Sequence, residues 1–260
     1  MSFHEINGLR YYSFEIFSKA VTQAVFTRHG GVSPAPWRSL NLGGAVGDDM
    51  ANVTENRRRL FDAMPRRADT IQDVWLVHGT DIFYADHPRL PTDPSPKADI
   101  ILTDNPHISL FMRFGDCVPI LLHDPHKKVI GIAHAGWQGT LRGVVGSAVL
   151  GMQTRYGSDP KHIVAGIGPS IGVDHYQVGA EVVSQFRQTY PRHAEQIFQT
   201  KNENAHLDLW TANALQLNDV GVHQVQISAI CTACHLEDWF SHRAEKGKTG
   251  RFGALMSLQG

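Results

Sequence analysis

The chain has 260 residues, 42% of them hydrophobic, and its 24 Lys+Arg nearly balance 25 Asp+Glu. That length can bury a large core, that apolar content excludes disorder, and a net charge of −1 attracts neither nucleic acid nor an anionic membrane. Three cysteines make no disulfide framework and suit a cytoplasmic setting; no apolar run reaches the ~18 residues of a membrane helix, and Glu5, Arg10, Glu15 and Lys19 break up any signal-peptide core.

Runs rich in β-branched residues predict the first strand at Val21–Thr27, and a helix is expected at Val53–Ala63 with Asn52 or Thr54 as its cap. Strands follow at Val74–Val77, Asp99–Thr103, Ser109–Phe114, Pro119–His123 and Val129–Ala133. Between the first two of these, His87–Pro96 carries four prolines and reads as an extended surface loop. A helix is then predicted over Gly139–Tyr156, a strand at Ile163–Ile167, helices at Gly179–Thr189 and Asp208–Val220, and a strand at Gln224–Ile230. Several strands adjoin without an intervening helix, which excludes a regular βαβ pattern. The fold class expected is a mixed α/β or α+β layered domain, a single one across residues 1–260.

Fifteen histidines are the compositional outlier and point to metal or acid–base chemistry. Cys117 stands at the entry of one strand and His134 at the exit of the next. Paired antiparallel, those strands bring both residues to one edge of the sheet. His78, in Val77-His78-Gly79, ends another strand beside a glycine. Three readings stay open for this set: three ligands of a zinc ion with an open fourth position, a thiolate–imidazolium pair for nucleophilic catalysis, or a buried core thiol with satisfied histidines. The start of the Gly139–Tyr156 helix near Thr140 is a candidate anion site, and Arg28 a candidate phosphate contact. Cys231-Thr232-Ala233-Cys234-His235 matches both a haem-attachment and a redox pattern, but a structural role is expected for Cys231 and Cys234. His-x-His pairs are absent from the sequence, which counts against a multicopper cluster.

Taken together, Thr27-Arg28-His29-Gly30-Gly31-Val32-Ser33, Ser39-Leu40-Asn41-Leu42-Gly43, Val77-His78-Gly79, Gly115-Asp116-Cys117-Val118-Pro119, His134-Ala135-Gly136-Trp137, Gly166-Ile167-Gly168-Pro169-Ser170 and Thr249-Gly250-Arg251 resemble, in collinear order, the YfiH-like laccase-domain family, known as multicopper polyphenol oxidases in older usage and as purine nucleoside phosphorylases now. The resemblance implies a layered sandwich and a zinc site on His78, Cys117 and His134, with copper as the alternative metal. It also implies phosphorolysis of purine nucleosides and methylthioadenosine together with deamination of adenosine. Purine nucleosides and phosphate are then the partners, and the chain acts as a monomer or homodimer. A zinc-bound water of lowered pKa is expected to serve deamination, with Asp116 as proton carrier. Arg28, Arg57 and Thr140 are expected to meet phosphate, and Asn41 the ribose or base. The family's usual arginine after the tryptophan is Gln138 here, which removes a positive charge beside the anion site. The alternatives are a metal-independent cysteine hydrolase acting on a cell-wall precursor through Cys117 and His134, a polyphenol oxidase, and a non-catalytic metabolite-binding module.

Overall fold

The computed structural model describes residues 2–64, 68–90 and 92–259. In chain order it begins with β1 (Ser2–Ile6), β2 (Leu9–Ser13) and β3 (Val21–Phe26), then α1 (Met50–Ala63) and β4 (Ile71–Asp73). Next come β5 (Ile82–Tyr84), β6 (Ile100–Thr103), β7 (Ser109–Phe114), β8 (Val118–Asp124) and β9 (Val129–Ala135), with α2 (Trp137–Leu141) and α3 (Val144–Tyr156) after them. The remainder is β10 (Val164–Ile167), α4 (Ala180–Thr189), α5 (Ala194–Ile197), β11 (Phe198–Lys201), β12 (Asn204–Leu207), α6 (Leu209–Asp219), β13 (Gln224–Ile227) and β14 (Phe252–Leu258).

Two six-stranded mixed sheets, ordered β1-β2-β3-β14-β7-β4 and β13-β10-β8-β9-β6-β5, form the middle of a layered sandwich. The period-2 alternation of their central strands makes the layers. Ile101, Leu121, Ile130 and Ile132 of the second sheet pack onto Leu110, Met112, Ala254 and Met256 of the first. Their sequence neighbours Ile100, Leu102, Leu122 and Val129 point the other way, against Val145, Val149, Met152 and Leu217 of α3 and α6. On the outer face of the first sheet, Phe111 and Leu255 meet Leu60 and Phe61 of α1. Strands buried on both faces read as unbroken apolar runs, which is why β7, β8 and β9 stood out in the sequence. No helix among the described residues is long and apolar enough to cross a membrane.

Three expectations require correction. The helix expected over Gly139–Tyr156 is two helices, α2 and α3, parted by Gly143 at φ 78°, a left-handed conformation that glycine adopts without a Cβ clash. Helix α1 starts earlier than expected and is capped by Asp49, whose side chain accepts from the Ala51 amide, rather than by Asn52 or Thr54. The strand expected at Val74–Val77 is absent: β4 ends just before it, at Asp73, and within it Trp75 makes only an isolated bridge to Lys97. The proline-rich loop is irregular as expected, although Pro91 lies outside the described residues. Arg89 ties that loop to β4, donating to Asp73 at 2.7 Å.

Candidate metal centre

The β8–β9 hairpin pairs Val118 with Ala135 and Pro119 with His134, so Cys117, one residue before β8, and His134, near the end of β9, share one sheet edge. His78 reaches the same place from the turn before β5, and its backbone is left-handed, at φ 59°. One ligand atom each from His78, Cys117 and His134 lie within 4.8 Å of one another. Their burial is graded: His134 is buried, Cys117 half-buried and His78 exposed, so the group opens to solvent on one side. The hairpin pairing considered from the sequence sets Cys117 beside His134, and the turn before β5 adds His78.

Behind them stands a residue that the sequence reading passed over. Asp99, fully buried just before β6, accepts from the Gly79 amide at 2.7 Å and the Val77 amide at 3.1 Å through Oδ2. Its Oδ1 takes the His134 Nδ1 contact at 2.9 Å. One carboxylate thus fixes the ring of one ligand and the backbone on both sides of another. Burial opposes its ionisation, but hydrogen bonds from His134 and the Gly79 amide prevail and hold Asp99 below the usual carboxylate range. The available signal was an acid at the threshold of the apolar strand Ile100–Thr103, where a carboxylate persists only if paired.

Cys117 and His134 hold each other charged. Burial works against both ions, yet the imidazolium draws the Cys117 thiol below its ordinary value, and the thiolate, seconded by Asp99, raises His134. A thiolate and two imidazoles are the donor set of a three-ligand zinc site. Gly136 leaves the space: a Cβ there would stand 2.9 Å from Cys117 Sγ and 3.3 Å from His78 Cδ2. The residues present therefore fit a single cation.

Around this group, Arg142 donates from Nη1 to the His78 carbonyl at 2.9 Å. Arg251 packs along Gly115, and its guanidinium feels the charges of Cys117 and Asp116 while burial lowers its pKa. Burial, then the Cys117 charge, pushes the Tyr176 phenol up.

The other residues singled out in the sequence have internal occupations. Asp116, at φ 80°, accepts from Thr232 Oγ1 at 2.7 Å on one oxygen and from the Arg243 amide at 2.6 Å on the other, so both are engaged. Arg28 donates to the carbonyls of Arg38 and Leu236, each at 2.8 Å, and lies 4.5 Å from the Phe240 ring centroid. The buried Asn41 amide bonds Gly43, Asp48 and the Arg251 amide. Arg57 donates twice to the Leu42 carbonyl, and burial brings it down to about 10. Thr140 is fully buried, with its hydroxyl 3.2 Å from Asn213 Nδ2. The anion site expected at the start of a long helix loses its footing as well, because α2 spans only five residues and too few peptide dipoles align behind Thr140.

A cavity of about 660 Å³ lies elsewhere, between α4 and the β11–β12 hairpin, lined by Gln177, Val183, Arg187 and Asn204 among others, and it includes none of the three ligands.

Comparison with known proteins agrees with this architecture. Residues 22–259 match the family described as multi-copper polyphenol oxidoreductase laccase. The chain is 38% identical over 239 residues to a purine nucleoside phosphorylase, YlmD, of Geobacillus stearothermophilus, covering 88% of this chain and 87% of the relative. It is 33% identical over 246 residues to the purine nucleoside phosphorylase YfiH of Escherichia coli K12, covering 92% and 95%. The crystal structure of YlmD from Geobacillus stearothermophilus superposes with a TM-score of 0.92 at 34% identity over 99% of this chain and 98% of that one. That of Bacillus licheniformis YfiH gives 0.91 at 33% identity over 99% of each. With nearly its whole length matched in sequence and in fold, the chain belongs to the YfiH-like laccase-domain family.

Proposed function

We propose that the protein is a zinc-dependent purine nucleoside phosphorylase whose centre is His78, Cys117 and His134, and that the same site phosphorolyses methylthioadenosine and deaminates adenosine. The observation that carries this reading is the convergence of three ligand atoms within 4.8 Å, with Asp99 bracing two of the three residues from behind. Relatives named purine nucleoside phosphorylase at 38% and 33% identity supply the substrate class. Two imidazoles and a thiolate suit zinc, which on three protein ligands keeps an open position and supplies a Lewis acid.

The chain's own residues do the rest. Asp99 orients the His134 ring through Nδ1, and with the proton held on that nitrogen Nε2 would be the atom that holds the ion. Phosphorolysis breaks the bond between the ribose anomeric carbon and the purine nitrogen and joins that carbon to a phosphate oxygen, while the purine leaves with the bonding electrons. Phosphate carries the charge, so cationic side chains must gather beside the ligands. Arg142 meets that need. It stands one helical turn after Gln138, its amide donating to the Gln138 carbonyl at 3.0 Å, and its guanidinium reaches the His78 carbonyl. The positive charge absent at Gln138 is thus supplied from the next turn of the chain by an arginine that, unlike Arg28 and Arg57, is exposed. We assign Asp116 the task of holding the Cys117 loop against Thr232 and Arg243, since both its oxygens are committed there.

The test combines elemental analysis with product analysis. Wild type should carry zinc and convert inosine or adenosine to free base only with phosphate present, and Cys117→Ala should lose one zinc equivalent together with turnover. A Cys117→Ala variant that has lost that equivalent and keeps full turnover ends the proposal.

One observation favours a second reading. The mutual ionisation of Cys117 and His134 is also the resting state of a thiol nucleophile and its base. A cysteine hydrolase survives a chelator, whereas the phosphorylase does not.

A further inference from the structure

Outside this centre the chain gathers a second set of soft and borderline donors. The turn 172–176 brings forward Asp174 and His175, and the turn after Ile230 brings forward Cys231 and Cys234, 56 or more positions later in the sequence. One atom from each of the four lies within 4.8 Å of the others. We propose that these residues bind a second zinc ion in a closed, structural site.

The spacing of the donors carries the argument. A tetrahedral zinc with bonds of about 2.3 Å to sulfur and about 2.0–2.2 Å to nitrogen or oxygen sets its ligands about 3.3–3.7 Å apart. His175 Nδ1 is 3.7 Å from Cys231 Sγ and 3.5 Å from Cys234 Sγ. Asp174 Oδ2 is 3.2 Å from Cys234 Sγ and 3.0 Å from His175 Nδ1. Four of the six edges of such a tetrahedron are therefore already close to their length, contracted by a few tenths of an ångström along the carboxylate edges, and the atoms of the group all lie within 4.8 Å of one another.

Two further features point the same way. The Gly172 amide donates to Cys231 Sγ at 3.2 Å, the kind of contact that supports a metal-bound thiolate. A Cβ on Gly172 would lie 2.7 Å from Asp174 Oδ1 and 3.2 Å from Cys231 Sγ, so glycine keeps this corner open. All three cysteines are free thiols. A disulfide joining Cys231 to Cys234 leaves the convergence of Asp174 and His175 unexplained, and a carboxylate against Cys234 opposes the exposed thiolate of a redox pair.

Four protein donors leave no open position, so the ion joins segments and performs no chemistry. It staples the turn that leads to Tyr176 onto the turn that contains Thr232. Thr232 holds Asp116, the neighbour of Cys117, so the staple lies behind the first centre. This inference does not depend on the proposed activity.

The experiment is a zinc count on the full-length protein. Protein purified under reducing conditions is stripped, reloaded with zinc chloride alone, desalted and analysed for metal per chain. Wild type should carry two ions. His175→Ala and Cys234→Ala, both at exposed positions where the fold tolerates change, should each carry one, as should Cys117→Ala. Adding zinc to stripped Cys117→Ala should raise its thermal midpoint, and that rise should vanish in Cys117→Ala/Cys234→Ala. Reloaded Cys117→Ala holding no zinc overturns the proposal, as do His175→Ala and Cys234→Ala variants that hold as much zinc as wild type. A Cys231–Cys234 disulfide in the reduced, reloaded protein does the same.

Discussion

Asp99→Asn changes one oxygen to an amide nitrogen, almost without change of volume, at a fully buried position. The carboxylate accepts on both oxygens, from His134 Nδ1 at 2.9 Å and from the Gly79 and Val77 amides at 2.7 and 3.1 Å. Asparagine can accept on only one. If its oxygen faces the two amides, its NH2 meets His134 Nδ1 and selects the tautomer with the proton on Nε2, which removes the lone pair the ion needs. If its oxygen faces His134, the NH2 opposes two amide donors and the turn bearing His78 loosens. Either orientation weakens a ligand. Removing such a partner behind a metal ligand typically lowers affinity 10–100-fold, or about 1.4–2.7 kcal/mol. A zinc titration against a chromophoric chelator, with wild type and variant side by side, measures the change, and circular dichroism checks that the variant is folded. Wild-type affinity in folded Asp99→Asn would refute the argument that this carboxylate organises the centre.

Further expectations follow from the same geometry. Gly136→Ala puts a methyl group 2.9 Å from Cys117 Sγ, so zinc content and turnover should both fall while the far-UV spectrum stays that of wild type. Arg142→Ala should raise KM for phosphate more than KM for nucleoside, and equal increases in both would remove Arg142 from the phosphate site. Asp73 is buried between Arg89 and Arg113, each at 2.7 Å, and although burial opposes its charge the arginines hold its carboxyl below the usual range. A depressed folded-state pKa gives stability that is complete above the unfolded value of about 3.9 and is lost as pH falls through the folded one. Asp73→Asn should therefore cost about 3–5 kcal/mol near neutrality, the typical effect of breaking a buried pair, and should flatten the acid limb of the stability curve. Chemical denaturation from pH 7 down to pH 3 reads both effects.

The sequence by itself determined the local framework and picked out the three candidate ligands that the fold brings together. Apolar runs rich in β-branched residues located β7 to its observed bounds and β8 and β9 closely, because strands buried on both faces must be apolar throughout. The adjacency of those runs was enough to predict a hairpin that sets Cys117 beside His134. β14, Phe252–Leu258, escaped notice because Gly253 and Ala254 dilute its pattern and its partners, β3 and β7, are distant in the chain. The break at Gly143 escaped notice too, since glycine is compatible with a helix until its φ is known.

Tertiary structure alone decided which polar atoms are free to act. Arg28, Arg57 and Asn41 look like ligand-binding groups in a linear reading, yet carbonyls and amides from elsewhere in the fold take up their hydrogen bonds. Asp99 and the Asp174–His175 pair drew no attention, yet folding sets them against histidine and cysteine side chains that lie 35 to 60 residues away along the chain. Periodicity and capping depend on neighbours within about one turn, and so they can be read from the sequence. A hydrogen bond or a shared cation depends on distances of about 3 Å between segments that only the packed sheets bring together.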